Sequence, residues 1–497
     1  MSKRISTITI PSLGAIDRSI GHVGLQLTRA LRAAIAKGEL KPGEQLPSTR
    51  ALSTSLRLAR GTVTEAFEQL KAEGYLEANV GAGTRVSSSL GIDTFSFGVG
   101  ADQPKQLETP TLAPNVCRYE GIAQTLRPQE PVPFAIAIPV GAVAPDDHWR
   151  RLGNRVRASA FAAPATYGDP RGVRELRVSI AEYVRKSRAV ICDPDQIIMT
   201  AGTQQGLYLS ACVLLSRGDA VWAEDPAYPG LTAVLTNFDC RVHRISVDDQ
   251  GIDVQQGIDR CPDARATFVT PSHQYPLAMP LSMTRRSALL AWARENNSWI
   301  VEDDYDSELR YVGHPFPSLQ GLDPGRVVYL GTFSKILFPS LRIGYAVVPK
   351  PLIDAFIGAR AIIDRHLPTV EQHALAAYMR EGHFEAHIRR IRNIYSERRS
   401  ALLDALDAEL PRWAKVQAAD QGMHVVVSLP AGVDDRKLMD CARAQGLAVR
   451  AISPMYQAEN RPSGLMLGFG GFTAPQLSAA ARRLREVMDN FVSLSTP

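Results

Sequence analysis

Along the first 86 residues the apolar positions fall on short helical faces. Val23, Leu27, Leu31 and Ile35 recur every four residues, one side of a helix that Gly38 ends. Pro47-Ser48 opens a second short helix with Ser48 as its cap. Val63, Phe67 and Leu70 mark a third, which stops near Gly74. Tyr75-Leu76-Glu77 and Thr84-Arg85-Val86 then flank Gly81-Ala82-Gly83, the pattern of a hairpin closed on glycine. Three helices and a hairpin predict a winged helix-turn-helix over residues 18–86.

From 87 to 130 the periodicity fades. Ser87-Ser88-Ser89 and scattered glycines and prolines predict a linker, with local order around Phe95 and Phe97. Beyond it, apolar runs at 197–199, 220–223, 266–269, 299–301, 327–330 and 345–348 alternate with helical stretches, notably 204–216 and 283–296. That alternation predicts an α/β body with a largely parallel sheet. Residues 351–410 read as mainly helical. Strands near 424–427, 448–452 and 465–469 and a helix near 476–488 predict a smaller α+β domain. The expected division is thus 131–490 for the second half, with a large domain over about 160–360 and a small one over about 361–490.

Composition narrows the class. The chain has 497 residues, too many for one core, and its 45% hydrophobic and 22% charged residues are those of a globular protein. No run approaches the roughly 18 apolar residues of a membrane helix, and Met1-Ser2-Lys3-Arg4 leads into no apolar export core. The cysteines (Cys117, Cys192, Cys212, Cys240, Cys261, Cys441) form no C-x-x-C pair, so reduced thiols in a cytoplasm are expected and metal ligation is not. Residues 1–90 hold 12 Lys/Arg and 7 Asp/Glu, so 12 − 7 = +5, which equals the net charge of the whole chain. Local basicity of this kind suits a phosphate backbone. Arg60, Thr62 and Thr64 fall at the start of the third helix, where base edges are reached, with Arg50 in the second helix and Arg57 just before the third.

The second half carries different chemistry. Lys335 follows the run Val327-Val328-Tyr329-Leu330, in Gly331-Thr332-Phe333-Ser334-Lys335. Trp299-Ile300-Val301 runs into Glu302-Asp303-Asp304-Tyr305. Ala201-Gly202-Thr203-Gln204-Gln205-Gly206 is a small turn opening a helix, where free N–H groups favour an anion. Ligands gather at the carboxyl ends of strands in such sheets. An amine, an acid for a ring nitrogen, anion contacts and an aromatic face are the parts that hold pyridoxal phosphate. Lys335 supplies the amine and Asp303 the acid, with Asp304 and Asp306 as competitors. Tyr305 is a partner for the ring hydroxyl, and Thr203, Gln204, Thr332 and Arg342 are candidates for the phosphate. Tyr228, in Glu224-Asp225-Pro226-Ala227-Tyr228, is a candidate to stack on the ring.

The N-terminal segment resembles the GntR-type winged helix. Gly38-Glu39-Leu40-Lys41-Pro42-Gly43-Glu44-Gln45-Leu46-Pro47-Ser48-Thr49-Arg50 and Thr62-Val63…Glu73-Gly74-Tyr75-Leu76 carry the likeness. It implies DNA contacts from Arg50, Arg60, Thr62 and Thr64, with Gly81 in the wing. Gly61 departs from the usual polar residue. Residues 131–490 resemble the fold-type I, aspartate aminotransferase-like enzymes, through Tyr167-Gly168-Asp169-Pro170, Thr203-Gln204-Gln205, Thr270-Pro271-Ser272-His273-Gln274-Tyr275-Pro276, Glu302 to Glu308, and Gly331 to Tyr345.

The whole chain is similar to the MocR/GabR subfamily. That resemblance assigns the Schiff base to Lys335, the pyridine nitrogen to Asp303, the ring hydroxyl to Tyr305 and the phosphate to Thr332 and Arg342. It implies a homodimer in which Tyr167 reaches the neighbouring subunit's phosphate, with the winged helix of one chain near the other's large domain. Two departures stand out. The usual Asn-Pro-x-Gly turn reads Ser272-His273-Gln274-Tyr275-Pro276-Leu277-Ala278, and His273 is the candidate to replace the asparagine. The late strand Leu465-Met466-Leu467-Gly468-Phe469 lacks the arginine that clamps a substrate carboxylate, and Arg450 is the candidate substitute. The expected function is a cytoplasmic transcriptional regulator that binds double-stranded operator DNA and senses a small amine, an amino acid or pyridoxal phosphate itself. The alternative is an active aminotransferase carrying a DNA-binding module.

Overall fold

The computed structural model describes residues 16–19, 21–79, 83–88, 111–113, 116–139, 147–162, 164–314, 316–417, 420–458 and 461–495. The chain divides into two compact units, Met1–Leu112 and Ala113–Pro497.

In the first unit, α1 (Val23–Ala36), α2 (Thr49–Leu56) and α3 (Arg60–Ala72) precede a hairpin of β1 (Leu76–Asn79) and β2 (Gly83–Val86). The four-residue spacing delivers Leu27 and Leu31 to a core shared with Val63, Phe67, Leu70 and Val86. Ser48 caps α2 by accepting the Ala51 N–H at 3.2 Å. Gly81, expected in the wing, lies outside the described residues.

The expected linker is not uniform. Residues 89–110 lie outside the described residues, whereas Val116–Thr125 forms a helix, α4. Arg118 fixes it within the second unit through the Thr236 carbonyl (3.1 Å) and Asp239 (3.0 Å). That contact spans more than a hundred residues, so a local reading of the sequence could not show it.

The second unit is built on an eight-stranded sheet, ordered β3-β10-β9-β8-β7-β4-β5-β6. The strands are β3 (Ile197–Thr200), β4 (Ala220–Asp225), β5 (Arg241–Asp248), β6 (Gly251–Ile252), β7 (Ala266–Val269), β8 (Trp299–Asp304), β9 (Val327–Thr332) and β10 (Gly344–Val347). All six expected runs are strands. They were readable because most are buried on both faces, which forces continuous apolar runs. β5 was not expected: it lies near the sheet edge, is only partly buried, and alternates polar with apolar residues. β4, β5, β7, β8 and β9 are parallel, whereas β10 runs antiparallel to both β9 and β3. The connection from β9 to β10, residues 333–343, is shorter than the dozen or more residues that a parallel crossover requires.

The smaller lobe carries an antiparallel sheet ordered β11-β12-β14-β13: β11 (Lys415–Gln417), β12 (His424–Ser428), β13 (Arg450–Ala451) and β14 (Gly464–Gly468). Helices His383–Glu409 and Ala474–Ser495 pack together beside it. No helix among the described residues is long and apolar enough to cross a membrane.

Candidate functional site

The carboxyl ends of β3, β4, β7, β8 and β9 open on one cavity of about 420 Å³. Lys335, Asp303, Tyr305, Tyr228, Thr203, Gln204, Arg342 and Arg450 all line it. Residues far apart in sequence meet there because parallel strands present all their C-terminal ends at one edge.

Lys335 comes three residues after β9 ends, beyond the buried Phe333 and Ser334. Among the described residues its amine makes no hydrogen bond or ion pair. Burial lowers its pKa to about 8, against the opposing pull of Asp306 and Asp303, and Arg450 and Arg342 push it the same way as burial. A fraction of the amine is therefore neutral and nucleophilic near neutral pH.

β8 separates the competing acids by strand alternation. Glu302 accepts the N–H groups of Leu319 and Gln320, both at 3.0 Å. Asp304 is held by Arg188 (2.8 Å), Tyr329 (2.6 Å) and Ser307 (2.9 Å). Asp306 is held by His273 at 2.9 Å. Asp303, 8% exposed, faces the cavity, and its Oδ1 has no hydrogen-bond partner among the described residues. Desolvation, followed by the charges of Asp304, Asp306 and Glu224, raises its pKa to about 8. Asp304 Oδ1 also lacks a partner among the described residues, but of the two only Asp303 lines the cavity.

Elsewhere in the lining, the helix Thr203–Leu214 starts at Gly202, whose φ of 85° no side-chain cap accompanies. A Cβ on Gly202 would come within 3.3 Å of the Arg342 guanidinium, so only glycine admits this close approach at that φ. Arg342 itself hydrogen-bonds the Ala201 carbonyl. Open helix N–H groups beside a guanidinium form an anion cradle.

Three expected residues lie elsewhere. The Thr332 hydroxyl is turned to Ser334, at 3.2 Å from its N–H and 3.1 Å from its Oγ, and does not line the cavity. His273 stands behind Tyr305: its Nδ1 lies 3.1 Å from the Tyr305 hydroxyl and 2.9 Å from Asp306. Gly422 makes room for that ring, since a Cβ there would sit 2.1 Å from His273 Cε1. Tyr275, two residues on, lines the cavity instead, edge-on to Tyr228 with ring centroids 5.6 Å apart. The turn's register, not its residue type, decides this, and an aromatic in place of the expected asparagine was the overlooked signal. Tyr167 is 75% exposed, with Arg365 over its ring at 4.8 Å, and does not reach this cavity. Arg450 pairs with Met466 across β13 and β14, so it reaches the cavity from the strand beside the arginine-less late strand.

In the first unit Arg50, Arg60 and Thr64 are exposed and Thr62 is half-buried. Thr64 Oγ1 is turned back to the Arg60 carbonyl at 3.0 Å. Arg32 pairs with Glu73 and Lys71 with Glu68, whereas Arg50, Arg57 and Arg60 have no ion pair among the described residues. These three cations thus lie on α2, just after it and at the start of α3.

Residues 24–86 match the family model "Bacterial regulatory proteins, gntR family", and residues 139–484 match "Aminotransferase class I and II". The rhizopine catabolism regulatory protein MocR (named as probable) of Rhizobium meliloti is 34% identical over 93% of this chain and 92% of its own length. The chain belongs to the MocR-like GntR regulators. A second such relative, the pyridoxine biosynthesis transcriptional regulator PdxR of Corynebacterium glutamicum, is 34% identical over 90% of this chain and 91% of its own. Among solved structures, a multiple substrate aminotransferase from Thermococcus profundus aligns with TM-score 0.69 and 28% identity, over 77% of this chain and 96% of its own. The α-aminoadipate aminotransferase LysN of Thermus thermophilus, complexed with N-(5'-phosphopyridoxyl)-L-leucine, aligns with TM-score 0.69 and 25% identity, over 75% and 98%. As a MocR-like GntR regulator the chain is a DNA-binding transcription regulator, and its aminotransferase-like domain takes pyridoxal phosphate as cofactor.

Proposed function

We propose that this regulator holds pyridoxal phosphate on Lys335 and senses a small amine or amino acid, or the cofactor itself, by what happens there. One observation carries the reading: a depressed lysine and an unpartnered buried carboxyl face the same cavity. The residues fit the cofactor. Asp303 Oδ1 lacks a partner and would take the pyridine nitrogen. The start of the helix Thr203–Leu214 and Arg342 would take the phosphate. Tyr228 would cover the ring, and Tyr305, braced by His273, would meet its hydroxyl. When bound, the group supplies an aldehyde that condenses reversibly with amines.

Lys335 would hold that group and release it to an incoming amine. Arg450 is the proposed partner for the effector's carboxylate, since it has no ion pair among the described residues and lines the cavity. On the DNA, Arg60 is the proposed base reader, with Arg50, Thr62 and Thr64 at bases or phosphates. A homodimer is proposed on the exposed Tyr167 and Ile362, 75% and 88% exposed, with Tyr167 serving the partner subunit's cofactor phosphate and the winged helix of one chain near the other's large domain. The protein would work in the cytoplasm, where promoter DNA is.

The experiment is to titrate amines into the cofactor-loaded full chain while following cofactor absorbance and DNA affinity together. Coordinated changes in both support the reading; absorbance changes without any change in DNA affinity would overturn it.

A further inference from the structure

The segment that enters the second unit crosses the mouth of the cofactor cavity. α4 is tied to the large lobe through Arg118, at Thr236 and Asp239. A few residues later the chain is tied to the small lobe. Gln129 Nε2 donates to the Ala448 carbonyl at 3.4 Å, the Ala448 N–H donates to the Pro133 carbonyl at 2.8 Å, and Phe134 bridges to Gly468. Here residues 125–129 line the cofactor cavity, and all of them but Leu126 also line a second cavity of about 910 Å³. This strap therefore forms the doorway between two chambers, and only Arg127, Arg450 and a few neutral neighbours line both.

The charge at the doorway is one-sided. The outer chamber is lined by Arg118, Arg127, Arg443 and Arg450 against Glu130 alone. Two of these arginines are committed, Arg118 to Asp239 and Arg443 to Asp440. The side chains of Arg127 and Arg450 have no hydrogen bond or ion pair among the described residues. Gln129 also grips the chain two residues before Arg450, so the two free guanidiniums are carried by segments tied to each other. Two uncommitted cations facing shared space favour an anion between them.

We propose that Arg127 is an effector-binding residue: the effector is an amine with an anionic far end, its nitrogen at Lys335 and its anion between Arg450 and Arg127. The inference rests on the amine-sensing reading above and adds Arg127 as a second contact for the anion already proposed at Arg450. It also makes the strap, through which the chain arrives from its DNA-binding unit, a direct contact of the ligand.

The test uses the cofactor-loaded full chain and two ligand series of matched length, straight-chain ω-amino acids and n-alkylamines. Affinities are read from cofactor absorbance and from calorimetry, and each protein is scored by the ratio of the two series. The wild type is expected to favour the amino acids about 10-fold or more, the range of a charge-assisted contact. Arg127→Ala is expected to cut that ratio about 10-fold, with partial recovery in Arg127→Lys. A wild type that binds both series alike, or a ratio that Arg127→Ala leaves in place, overturns this inference and spares the amine-sensing reading. Silence toward both series overturns the two together.

Discussion

Arg188 Nε lies 2.8 Å from Asp304 Oδ2, with the two side chains 4% and 1% exposed and 116 residues apart in sequence. This pair settles the division of labour on β8. It ties Asp304 into the scaffold, together with Tyr329 and Ser307, while Asp303 is the β8 acid that lines the cavity. Breaking a buried pair strands a charge in low dielectric, at a cost of roughly 3–5 kcal/mol. Arg188→Met is therefore expected to lower unfolding free energy by about that amount in urea titrations. A loss under about 1 kcal/mol, the range of exposed pairs, would mean that Asp304 is not so committed.

Asp303 should weaken the empty protein as pH rises. Its pKa is raised from 3.8 to about 8. A raised acid contributes stability that is fully present below the unfolded value and is lost as pH climbs through the folded value. The cofactor-free wild type should therefore melt lower at about pH 9 than at about pH 6, and Asp303→Asn should narrow that difference, leaving the part contributed by the raised Glu224, Glu302 and Glu308. The same substitution should weaken cofactor binding about 10-fold or more, the scale of a hydrogen bond to a charged group. Melting curves identical in the two proteins at both pH values, with equal cofactor affinity, would reassign the role.

Lys335 sets a second pH dependence. Only the neutral amine attacks an aldehyde. With its pKa lowered to about 8, capture of the cofactor should rise about tenfold per unit of pH below that value and level off above it. Stopped-flow absorbance on the cofactor-free protein measures this; a rise that continues unbroken past pH 10 would indicate an ordinary exposed lysine.

On the DNA side, Arg60→Ala should weaken specific binding by about 1–3 kcal/mol and relax sequence preference. Arg32→Ala, whose guanidinium is bound to Glu73, should do neither. Equal effects from the two substitutions in a shift assay would argue against base reading by Arg60.

Much of this was legible in the chain before its structure. The buried strands of the large sheet wrote themselves as apolar runs, and Lys335 and the β8 acids follow two of them directly. β5 was hidden because a strand near the sheet edge, only partly buried, need not be apolar. The choice between Asp303 and Asp304 was hidden because it depends on Arg188, on a distant helix. Tyr275 lines the cavity where His273 was expected because a turn's register decides which side chain faces it, and no periodicity encodes that. Arg127 went unnoticed for another reason: it sits in a segment that composition marks as linker, and α4 gains its place only through contacts with the large lobe.

The regulatory reading and the enzymatic one share the same site, and they part at the DNA. The most direct measurement is the operator affinity of the cofactor-loaded full chain, with and without a saturating effector amine, in the wild type and in Lys335→Ala. A shift of about 5–150-fold in the wild type, absent from Lys335→Ala, is the expected result. An operator affinity that ignores the amine in the wild type, or that responds equally in both proteins, would contradict control of transcription through the lysine-held cofactor.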